Sequence, residues 1–251
     1  MTALLFFLAG ALAWSVSSFA AGGGSMMLAA AASIIAPARA VAPVISVTSL
    51  VAAIVRIALF RRLIVWRLVA WYLPGGVAGA LVGSWIFAAL RADWLQLVVG
   101  IFLLSAAVQF QLAQRRHWRP MPPAGFIPVS FFSGLVSAVV GASGLLANPF
   151  YMGYGLEKQP LLATRAVNSL VIQLTKLASY TAFGALTGER LFDGLAASAG
   201  AAIAIMVTNS WLDRLSSQLF RKLAIGLIVV TGLLMLWRQH VLLLVLLSGV
   251  R

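Results

Sequence analysis

A chain of 251 residues that is 62% hydrophobic and only 9% charged is too apolar for a soluble domain, where roughly half apolar and about a quarter charged is usual. Its net charge of +13 sits in pairs and triplets at the ends of apolar segments, the pattern of membrane-orientation signals, so the lipid bilayer and not nucleic acid is the expected surrounding. With no cysteine, disulfides, thiolate metal sites, iron–sulfur clusters and thiol redox chemistry are excluded together.

Runs of about 17 to 25 apolar residues read as spanning helices and shorter ones as half-helices. Ala3 to Ala21 has no basic residue before it and reads as a first spanning helix rather than a signal peptide. Gly22-Gly23-Gly24-Ser25 then breaks the apolar pattern before a short piece, Met26 to Ala36, which Pro37 stops. Val41 to Phe60, Leu68 to Leu90 and Trp94 to Leu112 follow, separated by Arg61-Arg62 and by Ala92-Asp93. The polar, proline-rich stretch Gln114 to Ala124 divides the chain into a first repeat, 1–113, and a second, 125–251. The second gives Gly125 to Val140, a short piece Gly144 to Gly155, Pro160 to Gly184, Leu191 to Leu212 and Ser217 to Trp237.

A shift of 120 residues lays Gly24 on Gly144, Val47 on Val167, Ser49-Leu50-Val51 on Ser169-Leu170-Val171, and Arg56 on Lys176. Inverting the second half places Arg61, Arg62, Arg67, Arg115, Arg116, Arg119, Lys158, Arg214, Arg221 and Lys222 on one side and leaves Arg39, Arg91, Arg190 and Arg238 opposite. That asymmetry favours an inverted arrangement with the linker in the cytoplasm. The expected fold is therefore all-α: a polytopic membrane protein of two inverted repeats, each about four spanning helices plus a half-helix.

Two kinds of residue in these apolar segments carry chemistry. Non-helical backbone at membrane depth is tolerated only inside protein or beside a wet cavity. A half-helix starting there offers free N–H groups and the positive end of its dipole to an anion. Gly22, Gly23, Gly24 and Ser25 form one such opening and Ser143 and Gly144 the other, with Asn148 one turn inside; close helix packing is the alternative use of these glycines. The second kind is the buried cation. Arg56 follows Ser49 by seven residues on one helix face, and Arg165, Ser169, Gln173 and Lys176 fall within about 80 degrees of one another, a polar stripe unsuited to lipid. Arg56 either faces a pathway or snorkels toward Arg61-Arg62. All five acids, Asp93, Glu157, Glu189, Asp193 and Asp213, stand near segment ends, so neither cation has a buried carboxylate to neutralise it. The same absence removes a hydrolase's carboxylate pair, and His117 and His240 alone form no metal cluster. No enzyme activity and no cofactor are expected. Trp66, Trp71, Trp94, Trp118 and Trp237 read as interfacial anchors.

The glycine-rich opening, Val47-Thr48-Ser49-Leu50, the segment Leu73-Pro74-Gly75-Gly76-Val77-Ala78-Gly79-Ala80-Leu81-Val82-Gly83, and the echoes Gly141 to Gly144 and Ala166-Val167-Asn168-Ser169-Leu170 together resemble the sulfite exporter TauE/SafE family of membrane anion transporters, over Leu4 to Trp237. The resemblance implies transport of small sulfur-containing anions, sulfite or organosulfonates, across the bacterial inner membrane. Gly22, Gly23, Gly24, Ser25, Ser49, Arg56, Ser143, Gly144, Asn168, Ser169, Gln173 and Lys176 are the expected anion ligands, at a midplane site between half-helix N-termini. Flux driven by potential, or by a proton carried on the anion, is the expected coupling. A homo-oligomer is compatible with this reading. The alternative is a non-transporting membrane subunit that anchors or assembles a partner complex.

Overall fold

The computed structural model describes residues 2–19, 23–105, 122–142, 147–156 and 158–209, with residues 229 and 233 besides. Among them every regular element is helical. The helices are α1 (Thr2–Phe19), α2 (Gly24–Ile35), α3 (Ala38–Phe60), α4 (Trp66–Ala89), α5 (Ala92–Leu104), α6 (Phe126–Val140), α7 (Asn148–Gly153), α8 (Lys158–Ala182) and α9 (Gly188–Asn209). Short 3-10 turns at Arg61–Leu63 and Pro123–Gly125 lead from α3 and into α6. Apart from residues 229 and 233, the segment Ser217 to Trp237 lies outside the described residues, as does most of the linker.

Among the described residues, four helical stretches are long and apolar enough to cross a membrane: Ala38–Leu63, Trp66–Ala89, Pro123–Val140 and Gly188–Thr208. At 25 residues α8 is as long, but Asn168, Gln173 and Lys176 on it are buried and polar, so its sequence is less apolar while its polar face points inward. Prolines sit where a helix tolerates them. Pro37 caps α3, and Pro43 falls early in it, where the ring displaces only the bond to the Arg39 carbonyl. Pro74 lies inside α4, so the expected span runs through it unbroken.

The expected boundaries shift by a few residues at two informative places. The glycine break ends sooner than the sequence suggests: Gly23 is the N-cap of α2, left-handed at φ 94, and Gly24 and Ser25 already belong to the helix. In the second half α7 has only six residues and starts at Asn148, not at Gly144, with Pro149 in its first turn favouring that start. Ser143 and Gly144 are outside the described residues.

Packing joins the halves crosswise. α1 lies along α9 and α4 along α6; α3 packs on α9 and on α8, and α8 on α4. Exchanging α1 with α6, α3 with α8 and α4 with α9 carries each of these pairs into another of the set. The two outer crossings are made by small residues that bring backbones together, as helix association in lipid favours. A Cβ at Gly79 would stand 2.0 Å from the Phe131 carbonyl oxygen, and one at Gly200 would stand 2.0 Å from that of Phe7. The larger buried cluster, around Met26, Leu28, Ile45, Phe87 and Tyr180, fills the side holding α1, α2, α5 and α9. A second cluster, around Leu68, Tyr72, Phe126, Tyr151 and Ile172, fills the other. Between them α3 and α8 meet.

The ends of the helices group as the charges do. Arg39 donates to the Leu90 carbonyl at 2.8 Å, which ties the start of α3 to the end of α4. At the other end of α3, Arg61 and Arg62 share a surface hollow with Gln159 of α8. Trp66 and Trp71 are exposed, as membrane anchors would be.

Candidate anion site

A cavity of about 100 Å³ lies where α3 and α8 face each other. At about 10 to 15 Å³ of such volume per water, it holds several waters or one small oxyanion with part of its hydration. Each wall comes from a local feature already described. The left-handed Gly23 lets the chain turn tightly into α2, so Gly23, Gly24 and Ser25 border the cavity with the first turn of that helix, whose first hydrogen bonds run from the Met26 and Met27 N–H groups to the Gly23 carbonyl. From α3 come Ser49, Ala52, Ala53 and Arg56, one face of the helix at spacings of three and four. From α8 come Leu162, Arg165, Ala166, Asn168, Ser169, Ile172 and Gln173. α1 contributes Trp14 and Ser17, α6 contributes Ser133 and Ser137, and Tyr72 and Tyr151 close one side with rings stacked 6.0 Å apart.

Of the residues expected from the sequence, Gly23, Gly24, Ser25, Ser49, Arg56, Asn168, Ser169 and Gln173 come together on this lining. Gly22, Ser143 and Gly144 fall outside the described residues. Lys176 is elsewhere: it is 0% exposed and lies behind the wall, donating to Ser137 Oγ at 3.1 Å and to the Gly141 carbonyl at 3.5 Å. Arg56 does not run along the helix toward Arg61-Arg62. It is half-buried on the cavity wall, and its Nη2 donates to Ser17 Oγ at 3.0 Å.

Several lining residues were missed by the sequence reading. Arg165 belongs to the polar stripe but has isoleucine as its counterpart under the shift of 120, so the duplication gave it no weight. In the structure its Nη1 donates to Asn148 Oδ1. Ser17, Ser133 and Ser137 had a readable signal: the same shift carries Ser17 onto Ser137, and Ser133 and Ser137 are one turn apart on one face. Tyr72 and Tyr151 had none, because an aromatic in an apolar helix reads first as core.

The electrostatics are one-sided. Arg56 and Arg165 both line the cavity, and none of the described acids, Asp93, Glu189 and Asp193, does so. The ion pair found among the described residues, Arg91 with Asp93 at 4.0 Å, lies at an exposed helix end. Two guanidiniums brought together away from water are costly, and a small anion placed between them relieves that cost. Polar capacity is in reserve as well. Asn168 donates through Nδ2 to the Tyr151 hydroxyl at 2.6 Å, while Asn168 Oδ1, Gln173 Oε1 and Ser49 Oγ are buried with no hydrogen-bond partner among the described residues. Such orphaned groups are uncommon in folded proteins; the Ser49 hydroxyl can donate to an anion, whereas the two amide oxygens accept and suit a water or a protonated guest.

A family model described as Sulfite exporter TauE/SafE matches residues 6–235. No curated protein and no solved structure matches the chain.

Proposed function

The chain belongs to the sulfite exporter TauE/SafE family, and on that premise we propose that it exports a small sulfur-containing oxyanion, sulfite or an organosulfonate, across the bacterial inner membrane. As a multi-pass membrane protein of a transporter family it works by moving an ion. The observation that carries the reading is the pairing of Arg56 and Arg165 on one small buried cavity whose described lining holds no carboxylate.

In the proposed complex the two guanidiniums supply charge and directed N–H donors, the pattern best suited to oxyanions. The first turn of α2, at Gly24 and Ser25, adds N–H groups at the positive end of a helix dipole. Ser49, Ser169, Asn168 and Gln173 complete the shell, to which the sequence adds Gly22, Ser143 and Gly144. The crosswise packing supports alternating access: α3 and α8 pack on each other, and rocking about that line would expose the cavity to each side in turn.

The test is binding by the purified protein alone. Sulfite, sulfate, thiosulfate, sulfoacetate and chloride are each added, thermal unfolding is followed in detergent, and the anions that stabilise are then assayed for flux in proteoliposomes. Stabilisation by a sulfur oxyanion, followed by its flux, is expected. If no anion stabilises the protein, or if stabilisation requires a copurified acidic membrane protein, the transporter reading falls to that of an anchoring subunit.

A further inference from the structure

The buried cations of the two halves are held in the same way. Arg56 donates to Ser17 at 3.0 Å and Lys176 donates to Ser137 at 3.1 Å, and in each case the serine precedes its cation by 39 residues. Ser17 lies on α1 and Ser137 on α6, which correspond in the exchange of halves, and the shift of 120 carries both members of one pair onto the other. What is repeated is thus a cation held by a hydroxyl, not a charge alone.

The two copies differ in cover. Arg56 is half-buried and on the cavity wall. Lys176 is fully buried, and the Ser137 hydroxyl, itself on the wall, stands between the ammonium and the cavity. Its second partner is the carbonyl of Gly141, the left-handed residue (φ 92) that ends α6. Both partners are neutral and an ammonium has three donors, so the charge of Lys176 is solvated but not balanced among the described residues.

We propose that Lys176 and Ser137 are a second station for the transported oxyanion, closed in this structure and equivalent to the open station of Arg56 and Ser17. The proposal rests on reading the cavity as an anion site. Conduction through a membrane needs sites that bind well enough to admit an ion and release it to a neighbour. Lys176 is that neighbour, one hydroxyl away from the wall. An anion on Lys176 neutralises a charge that is unbalanced here, so it favours the conformation in which this station opens and that of Arg56 closes.

The chain has no cysteine, so single cysteines report access without background. Arg56→Cys and Lys176→Cys are placed in sealed vesicles of known orientation, and a membrane-impermeant thiol reagent is added to either face. In parallel, unsubstituted protein is treated with an impermeant amine reagent and Lys176 modification is read by peptide mass spectrometry, which keeps the test valid where Lys176→Cys does not fold. Modification of Arg56→Cys from one face and of position 176 from the other is expected, each about tenfold faster than from the opposite face. Position 176 unreactive from both faces, or reactive from the same face as Arg56→Cys, overturns the proposal. These measurements use no transported anion, so they fail separately from the anion-binding test of the cavity.

Discussion

Arg165→Gln is the sharpest test of how the cavity holds an anion. The substitution removes one of two guanidiniums from the lining and leaves a side chain able to reach Asn148. In its favour, an anion about 4 Å from a unit positive charge gains about 4 kcal/mol at an effective dielectric of 20, and a hydrogen bond to a charged group is worth about 1.5–3 kcal/mol net. Against it, Arg56 remains and glutamine still donates. We therefore expect binding to weaken by about 2–3 kcal/mol, or roughly 30- to 150-fold in Kd. Stability without anion should behave in the opposite sense: removing a half-buried guanidinium relieves its desolvation, so the melting temperature of the empty protein should hold or rise. Isothermal titration with the stabilising anion, paired with melting curves with and without it, separates the two effects. A variant that binds within threefold of the parent, or one whose empty form melts much lower, would refute the account of Arg165 as an anion ligand.

Other substitutions probe the remaining walls. Asn168→Asp places a carboxylate on the same cavity as Arg56 and Arg165, an internal rival for the anion; anion-induced stabilisation should vanish, whereas Asn168→Ala should retain part of it in the same melting assay. Gly23→Ala forces a side chain into φ 94 and should cost about 1 kcal/mol, together with weaker anion binding as the start of α2 shifts. Gly79→Ala drives a Cβ against the Phe131 carbonyl and should cost about 1–3 kcal/mol, while Gly188→Ala, with nothing within 4 Å, should be near neutral; unfolding in mild detergent with added denaturant compares them.

The fold was legible because its signals are repeated and local. Apolar run length locates α1, α3, α4 and α6 to within a few residues, and triple glycine marks the start of α2. The site was legible where the glycine break, the polar stripe of α8 or the shift of 120 marks it. Ser49 and Ser169 are matched by the shift of 120 and both reach the cavity, whereas Arg56 and Lys176, matched equally well, part company because one hydroxyl screens the lysine. Arg165 shows the opposite case: it has no counterpart, and only the packing of α8 on α3 brings it opposite Arg56. Periodicity fixes which face of a helix a residue occupies but not which neighbour that face meets. The tyrosines were invisible for that reason, since Tyr151 joins the site through α7, a helix too short to carry a periodic pattern.

The crosswise glycine contacts impose an order on assembly. α1 is made before the other described helices, yet its main partner is α9, the last of them. During synthesis α1 must wait in lipid with Gly10 unmatched until Ala197 and Gly200 arrive, while α4 finds α6 much sooner. The described helices therefore close like a clasp, with α1 seated by α9. A chain halted before α9 keeps a finished α4–α6 seam and a stranded N-terminal helix, a vulnerable intermediate for membrane quality control to recognise.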